Sequence, residues 1–169
     1  SKAQQQSLKA ARSARLAERD VAAVRANDAA IGVRSALSAT SDYQSLQTNS
    51  LQAAQTAKQA RDKAVTAATD RESKRKPYED DRLFMYLWQR RFGFPEYAAN
   101  TLTRALDQWV AHLIGYDGAH RNYRMLLALA DHLAAHAEAQ EATANAAQSQ
   151  LVIAEDAALA AAGVPALDA

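Results

Sequence analysis

His132 and His136 stand one helical turn apart, a spacing at which two imidazoles can chelate a transition metal. The run between them, Leu133-Ala134-Ala135, lacks the Glu that a zinc peptidase places directly after its first His. Asp131 or His120 would have to add a third ligand, and Ala-rich solvated helices carry such His pairs by chance. The expectation is therefore no metal and no other cofactor. Arg71, Lys74, Arg75 and Lys76 could hold phosphate, yet they precede Glu79-Asp80-Asp81. Cations at the end of one helix and anions at the start of the next both offset helix dipoles, which explains the two runs without a ligand. Catalytic machinery is missing from the sequence: there is no Gly-rich phosphate loop, no Cys, and no Ser in a nucleophile elbow. The expectation is a protein that is not an enzyme.

Binding is better represented than chemistry. Tyr86, Arg90, Arg91, Phe92, Phe94, Tyr97 and Tyr116 crowd into one short stretch, and Tyr and Arg are types enriched in interface hot spots. They are read as a candidate surface patch for a protein partner. A basic strip through Lys2, Lys9, Arg12, Arg15, Arg19 and Arg25 raises nucleic acid as the alternative partner. No groove-reading motif accompanies it, and pairing with an acidic helix accounts for it more simply.

The elements that must position these residues follow from composition. Ala fills 42 of 169 positions, whereas Leu, Ile, Val and Phe together fill 30, with five Gly and three Pro. Ala favours helix more than any other residue, and Gly and Pro favour it least, so the chain reads as long helices with thin apolar seams. Residues 1–76 carry fourteen Lys and Arg against seven acids and a single aromatic, Tyr43. Residues 77–124 hold the other ten aromatics with balanced charge, and residues 125–169 hold six acids and no Lys or Arg. No apolar run spans a membrane and no signal peptide is evident, so the cytoplasm is the expected compartment. The opening, helical from its first residues, suggests a segment of a longer protein.

Three seams show three-four spacing. One runs through Ala10, Ala14, Ala17, Val21, Val24 and Ile31. A second runs through Tyr43, Leu46, Ser50, Ala53, Ala57, Ala60, Ala64 and Ala67. The third runs through Leu126, Ala130, Leu133, Ala137, Gln140, Ala144, Ala147, Leu151, Ala154, Ala158 and Ala161, ending at Gly163 and Pro165. The first two registers do not match, so the seam slips near residues 38–42. A stutter within one continuous helix is the preferred reading; a break there, capped by Ser41, is the alternative. Pro77 should break the helix. The head then comprises a helix over residues 82–91 stopped by Gly93, a second helix over about 100–114, and a turn from Gly115 to Gly118. Its expected core is Phe84, Leu87, Trp88, Leu106, Trp109, Leu113 and Tyr123.

The fold expected is all-α: an elongated antiparallel helical hairpin, coiled-coil-like, with a small aromatic-rich helical head between its arms. A basic arm covers residues 1–76, the head 77–119, an acidic returning helix 120–162 and a tail 163–169. A three-helix bundle with a break near residues 38–42 is the alternative. The function expected is a structural or adaptor module that mediates protein–protein interaction or oligomerisation. Val21, Val24 and Ile31 would expose an unpaired seam for self-association or for the remainder of the parent chain.

Overall fold

A computed structural model describes residues 2–164. Among these residues lie five α-helices and no strand: α1 (Lys2–Ser38), α2 (Ser41–Asp80), α3 (Arg82–Gln89), α4 (Thr101–Ile114) and α5 (Tyr116–Ala161). The all-α class is thus the one that the Ala-rich composition dictates. No helix is long and apolar enough to cross a membrane.

The continuous helix preferred over residues 1–76 is broken at Ala39-Thr40, and the cause is local. The Thr40 hydroxyl donates to the Leu37 carbonyl at 2.7 Å and accepts from the Tyr43 amide at 3.4 Å. One side chain therefore closes α1 and caps α2, the role expected of Ser41. Pro77 does not break its helix; α2 runs through it to Asp80. Proline lacks an N–H, so only one helical hydrogen bond is forfeited there. Arg75–Glu79 at 3.6 Å and Lys76–Asp80 at 3.0 Å bracket that turn.

Asp81 caps α3 by accepting from the Leu83 and Phe84 amides, both at 3.0 Å. The helix ends at Gln89 rather than Arg91, because Arg91 takes the left-handed conformation (φ 62°). Its amide donates to the Trp88 carbonyl and that of Phe92 to the Leu87 carbonyl, both at 3.0 Å, which is a Schellman closure. The expected stop, Gly93, lies two residues further on. Asn100 caps α4, accepting from the Thr103 amide at 2.8 Å. Gly115, at φ 64°, supplies the whole turn in a conformation that costs other residues about 1 kcal/mol or more. α5 can therefore begin at Tyr116, and Gly118 and the expected start near residue 120 both fall inside it. The Gly163 and Val164 amides close α5 by donating to the Ala160 and Leu159 carbonyls, both at 3.1 Å. Pro165 lies outside the described residues.

The described residues form two compact units. In the unit of residues 2–53 and 144–164, α1 buries Ala30 and half-buries Ala26, Val33 and Leu37. Val21, Val24 and Ile31 are 50%, 60% and 56% exposed, as expected of an unpaired seam, and the register of α1 that packs is a different one. Residues 2–25 are exposed throughout. Glu155 of α5 accepts from the Tyr43 hydroxyl and lies 4.0 Å from Arg34, so α1, α2 and α5 meet there. Ser50 donates to Gln148 at 3.1 Å.

In the unit Ala54–Thr143, Ala60, Ala64 and Ala137 pack together with Leu133 against them. Ala57 and Ala130 are also buried. Arg61 reaches Glu141 at 2.7 Å and Arg71 reaches Asp131 at 2.8 Å, numbers rising on α2 as they fall on α5. The two segments are antiparallel and use the seam positions read from the sequence. α3 and α4 belong to this unit and form the head.

Candidate protein-binding face of the head

The head is built on aromatic packing. Phe84 and Leu87 from α3, Val110 and Ala111 from α4, and Tyr116 and Tyr123 from α5 form its buried centre. Phe84 lies 5.4 Å from both Tyr116 and Tyr123, and Trp88 meets Tyr123 edge-on at 4.7 Å. These separations suit tilted and edge-to-face ring pairs. Tyr116, expected on the surface, is 1% exposed. It is the first residue of α5 and turns into the core, where its hydroxyl donates to the Phe92 carbonyl at 3.0 Å. Burial pushes that phenol up to about 12. Phe92 and Phe94 are half-buried: Phe92 stacks edge-on against Tyr97 at 5.0 Å, while Arg91 covers Phe94 at 3.8 Å.

A residue that sequence reasoning passed over organises the rest. Asp107, in the middle of α4, is fully buried. Its carboxylate accepts from the Tyr86 hydroxyl at 3.1 Å, the Tyr97 hydroxyl at 2.5 Å, and Arg90 at 3.0 and 3.3 Å. Burial alone would push the carboxyl up, but the bonds from Tyr97, Arg90 and Tyr86 outweigh it and hold Asp107 below the ordinary carboxylate range. Burial and the bond to Asp107 push the Tyr97 hydroxyl up. Tyr86, Arg90 and Tyr97, three of the expected surface-patch residues, are thus tied inward on one acid. The available signal was a lone acid in an apolar helical window, with two Tyr and an Arg just upstream.

Locking Asp107 inward fixes the rotation of α4 and turns its more apolar side out. Leu102, Leu106, Trp109 and Leu113 recur at four-three-four spacing and are 83%, 51%, 63% and 62% exposed. Leu106, Trp109 and Leu113 were expected in the core, so the structure reverses that assignment. α3 adds Leu83 and Tyr86, 45% and 39% exposed. Together the four α4 side chains offer roughly 500 Å² of apolar surface, near the upper end of what a monomer usually leaves uncovered.

The remaining candidates are placed as follows. Arg71, Lys74, Arg75 and Lys76 all pair with acids, namely Asp131, Asp70, Glu72 with Glu79, and Asp80. They are not free to form a phosphate patch. His132 and His136 are exposed, and the described residues contain no group of three His, Asp or Glu side chains placed to hold a metal ion. Lys2, Lys9, Arg12, Arg15 and Arg25 are exposed and pair with no acid among the described residues, so the expected pairing of this strip with the acidic helix does not form. Comparison with protein-family models, curated proteins and solved structures finds no match for this chain.

Proposed function

We propose that this chain is a non-enzymatic adaptor module that receives a helix of another protein chain on the outer face of α4. The supporting observation is the outward stripe Leu102, Leu106, Trp109 and Leu113, held in that orientation by Asp107. Trp at the centre of an apolar stripe is the residue type that most often dominates interface energy. The partner is a second copy or a segment of a longer parent chain, which makes the module an oligomerisation element. Sedimentation of the whole chain over a concentration series tests the first of these. Assembly should be abolished in Leu106→Glu/Trp109→Glu while far-ultraviolet circular dichroism is retained. Equal assembly by the variant would exclude this face; an unsubstituted chain that stays monomeric throughout would exclude self-association.

A second reading, nucleic-acid association through α1, draws on the unpaired cations Lys2, Lys9, Arg12, Arg15 and Arg25. Each phosphate they neutralise should contribute a slope of about −0.9 to the plot of log affinity against log salt. Binding that ignores salt would rule this reading out.

A further inference from the structure

α1 is covered only over its last third. Ala30 is buried and Ala26, Val33 and Leu37 are half-buried, whereas residues 2–25 are exposed throughout. The packed residues recur at four-three spacing, and the same spacing continues toward the N-terminus as Ala23, Arg19, Leu16 and Arg12. Leu8, Ala11 and Arg15 flank this continuation, and with Arg12, Leu16 and Arg19 they line one open groove of about 530 Å³. The seam thus changes chemistry without changing side. It is small and apolar where α1 is covered, and alternates leucine with arginine where it is not. Leu8 and Leu16 are 70% and 43% exposed.

Charge selects the occupant. Residues 2–25 carry six cations, Lys2, Lys9, Arg12, Arg15, Arg19 and Arg25, against two acids, Glu18 and Asp20, a net of +4. Arg19 lies 3.8 Å from its neighbour Asp20, with the two side chains 77% and 73% exposed, which is a weak pair. Elsewhere, arginines of α1 and α2 that reach α5 take a carboxylate from it. Arg34 lies 4.0 Å from Glu155, Arg61 donates to Glu141 at 2.7 Å, and Arg71 to Asp131 at 2.8 Å. The α1 of a second copy would set arginine against arginine, which repels. The α5 of a second copy has Asp131, Glu141 and Glu155 already committed to its own arginines. A phosphate backbone would meet the cations but leave Leu8 and Leu16 uncovered. An amphipathic helix bearing acids meets both requirements.

We propose that residues 2–25 of α1 dock an acidic amphipathic helix of another protein. Asp or Glu stands opposite Arg12, Arg15 and Arg19, and apolar side chains pack against Leu8, Ala11, Leu16 and Ala23. The docked helix extends the seam that α1 forms through Ala26, Ala30, Val33 and Leu37, and it repeats the arginine–carboxylate pairing made by α5. Exposed ion pairs stabilise little, so the leucines supply affinity and the arginines choose the partner. This surface lies on a different helix from the α4 face, and the proposal stands without that reading.

The test uses the full chain and a fluorescent helical peptide matching residues 2–25 in length. The peptide carries Glu at positions facing the three arginines and Leu or Ala at positions facing the seam. Fluorescence anisotropy should give saturable binding with a Kd below about 100 µM. The same peptide with Gln in place of Glu should bind about tenfold more weakly. Arg12→Gln, Arg15→Gln and Arg19→Gln together should lose a similar factor, as should Leu8→Ser with Leu16→Ser. All five side chains are exposed, so far-ultraviolet circular dichroism should be retained. Val21→Ser with Val24→Ser, on another side of α1, and Leu106→Glu/Trp109→Glu, on α4, should leave binding unchanged. Equal binding of the Gln peptide, lost binding in either of these last two variants, or no saturable binding would overturn the proposal. A duplex DNA of comparable length that binds more tightly than the peptide would also overturn it, placing nucleic acid on α1. Self-association of the chain that the arginine variant abolishes would do the same, placing a second copy there.

Discussion

Replacing Asp107 by Ala tests whether a buried acid, rather than an apolar contact, sets the rotation of α4. The substitution strips an acceptor from Tyr86, Tyr97 and Arg90 at once. A hydrogen bond to a charged group is worth about 1.5–3 kcal/mol, but the three are not additive. The Arg90 side chain is 34% exposed and Tyr86 39%, so both can regain water, and their share is discounted. The expected loss is about 2–4 kcal/mol for Asp107→Ala and roughly half of that for Asp107→Asn, which keeps one acceptor oxygen. Urea unfolding followed by near-ultraviolet circular dichroism reads the head selectively, because ten of the eleven aromatics lie in residues 77–124. Gln108→Ala, at an exposed position of α4 outside the apolar stripe, is the control and should change stability by less than about 0.5 kcal/mol. The pH dependence has a definite sign. The folded carboxyl lies below its unfolded value of about 3.9, so its contribution is present above that pH and is lost as pH falls through the folded value. Asp107→Asn should abolish this part of the acid sensitivity. A loss in Asp107→Ala no larger than that of the Gln108→Ala control would refute the reasoning.

Arg91 occupies a left-handed position, so Arg91→Gly should be more stable than Arg91→Ala by about 1 kcal/mol in urea unfolding, the reverse of the order inside a helix. Ala137 is fully buried against Ala60 and Ala64, and Ala137→Trp should cost about 1–3 kcal/mol by overpacking. Lys58→Ala, which removes only an exposed pair with Asp62, should leave the melting temperature almost unchanged. Thr40→Ala removes the side chain that serves both α1 and α2 and should cost about 1 kcal/mol in thermal unfolding. Val21→Ser, Val24→Ser and Ile31→Ser together should not lower the stability of the isolated chain, since all three are exposed; a loss comparable to a core truncation, about 2–5 kcal/mol, would show that α1 packs through them.

The seams of α2 and α5 were legible because each helix has one apolar stripe and strongly polar remaining faces. Ala57, Ala60, Ala64, Ala130, Ala137 and Leu151 are all buried where the spacing put them. α1 was legible only in part because it offers two stripes of equal spacing. The stripe with Val21, Val24 and Ile31 looks the stronger, yet Ala26, Ala30, Val33 and Leu37 are the ones that pack. Helix ends set by Gly115 and Asn100 were visible, since cap chemistry is local. The break at Thr40 and the passage through Pro77 were misjudged because each turns on one or two hydrogen bonds. Such margins lie below what spacing can resolve. In the head, apolar periodicity pointed α4 the wrong way, because no pattern rule anticipates that two Tyr and an Arg will gather on one Asp. Nothing in the spacing of His120 announces that its Nε2 is buried with no hydrogen-bond partner among the described residues.

The energetics of α4 bear on function as well as on fold. Full burial of a Leu or comparable side chain is worth about 1.5–3 kcal/mol, so leaving Leu102, Leu106, Trp109 and Leu113 more than half exposed forgoes about 4–8 kcal/mol in the isolated chain. That is a large fraction of the 5–15 kcal/mol by which a domain is usually stable. A helix selected only to fill the head would turn those residues inward and carry its acid outside. Instead Asp107 is buried and completely bonded, and Thr103, Val110, Ala111 and Ile114 form the inner side. The inner side is thus specified by polar geometry, which tolerates one rotation of α4, whereas apolar packing alone tolerates several. Such an arrangement delivers a rigid apolar surface at a fixed angle, which loses little entropy when a partner covers it. Under the proposed adaptor reading, the stabilisation that the free chain lacks on α4 would be recovered at the interface, which would link the buried carboxylate to that role.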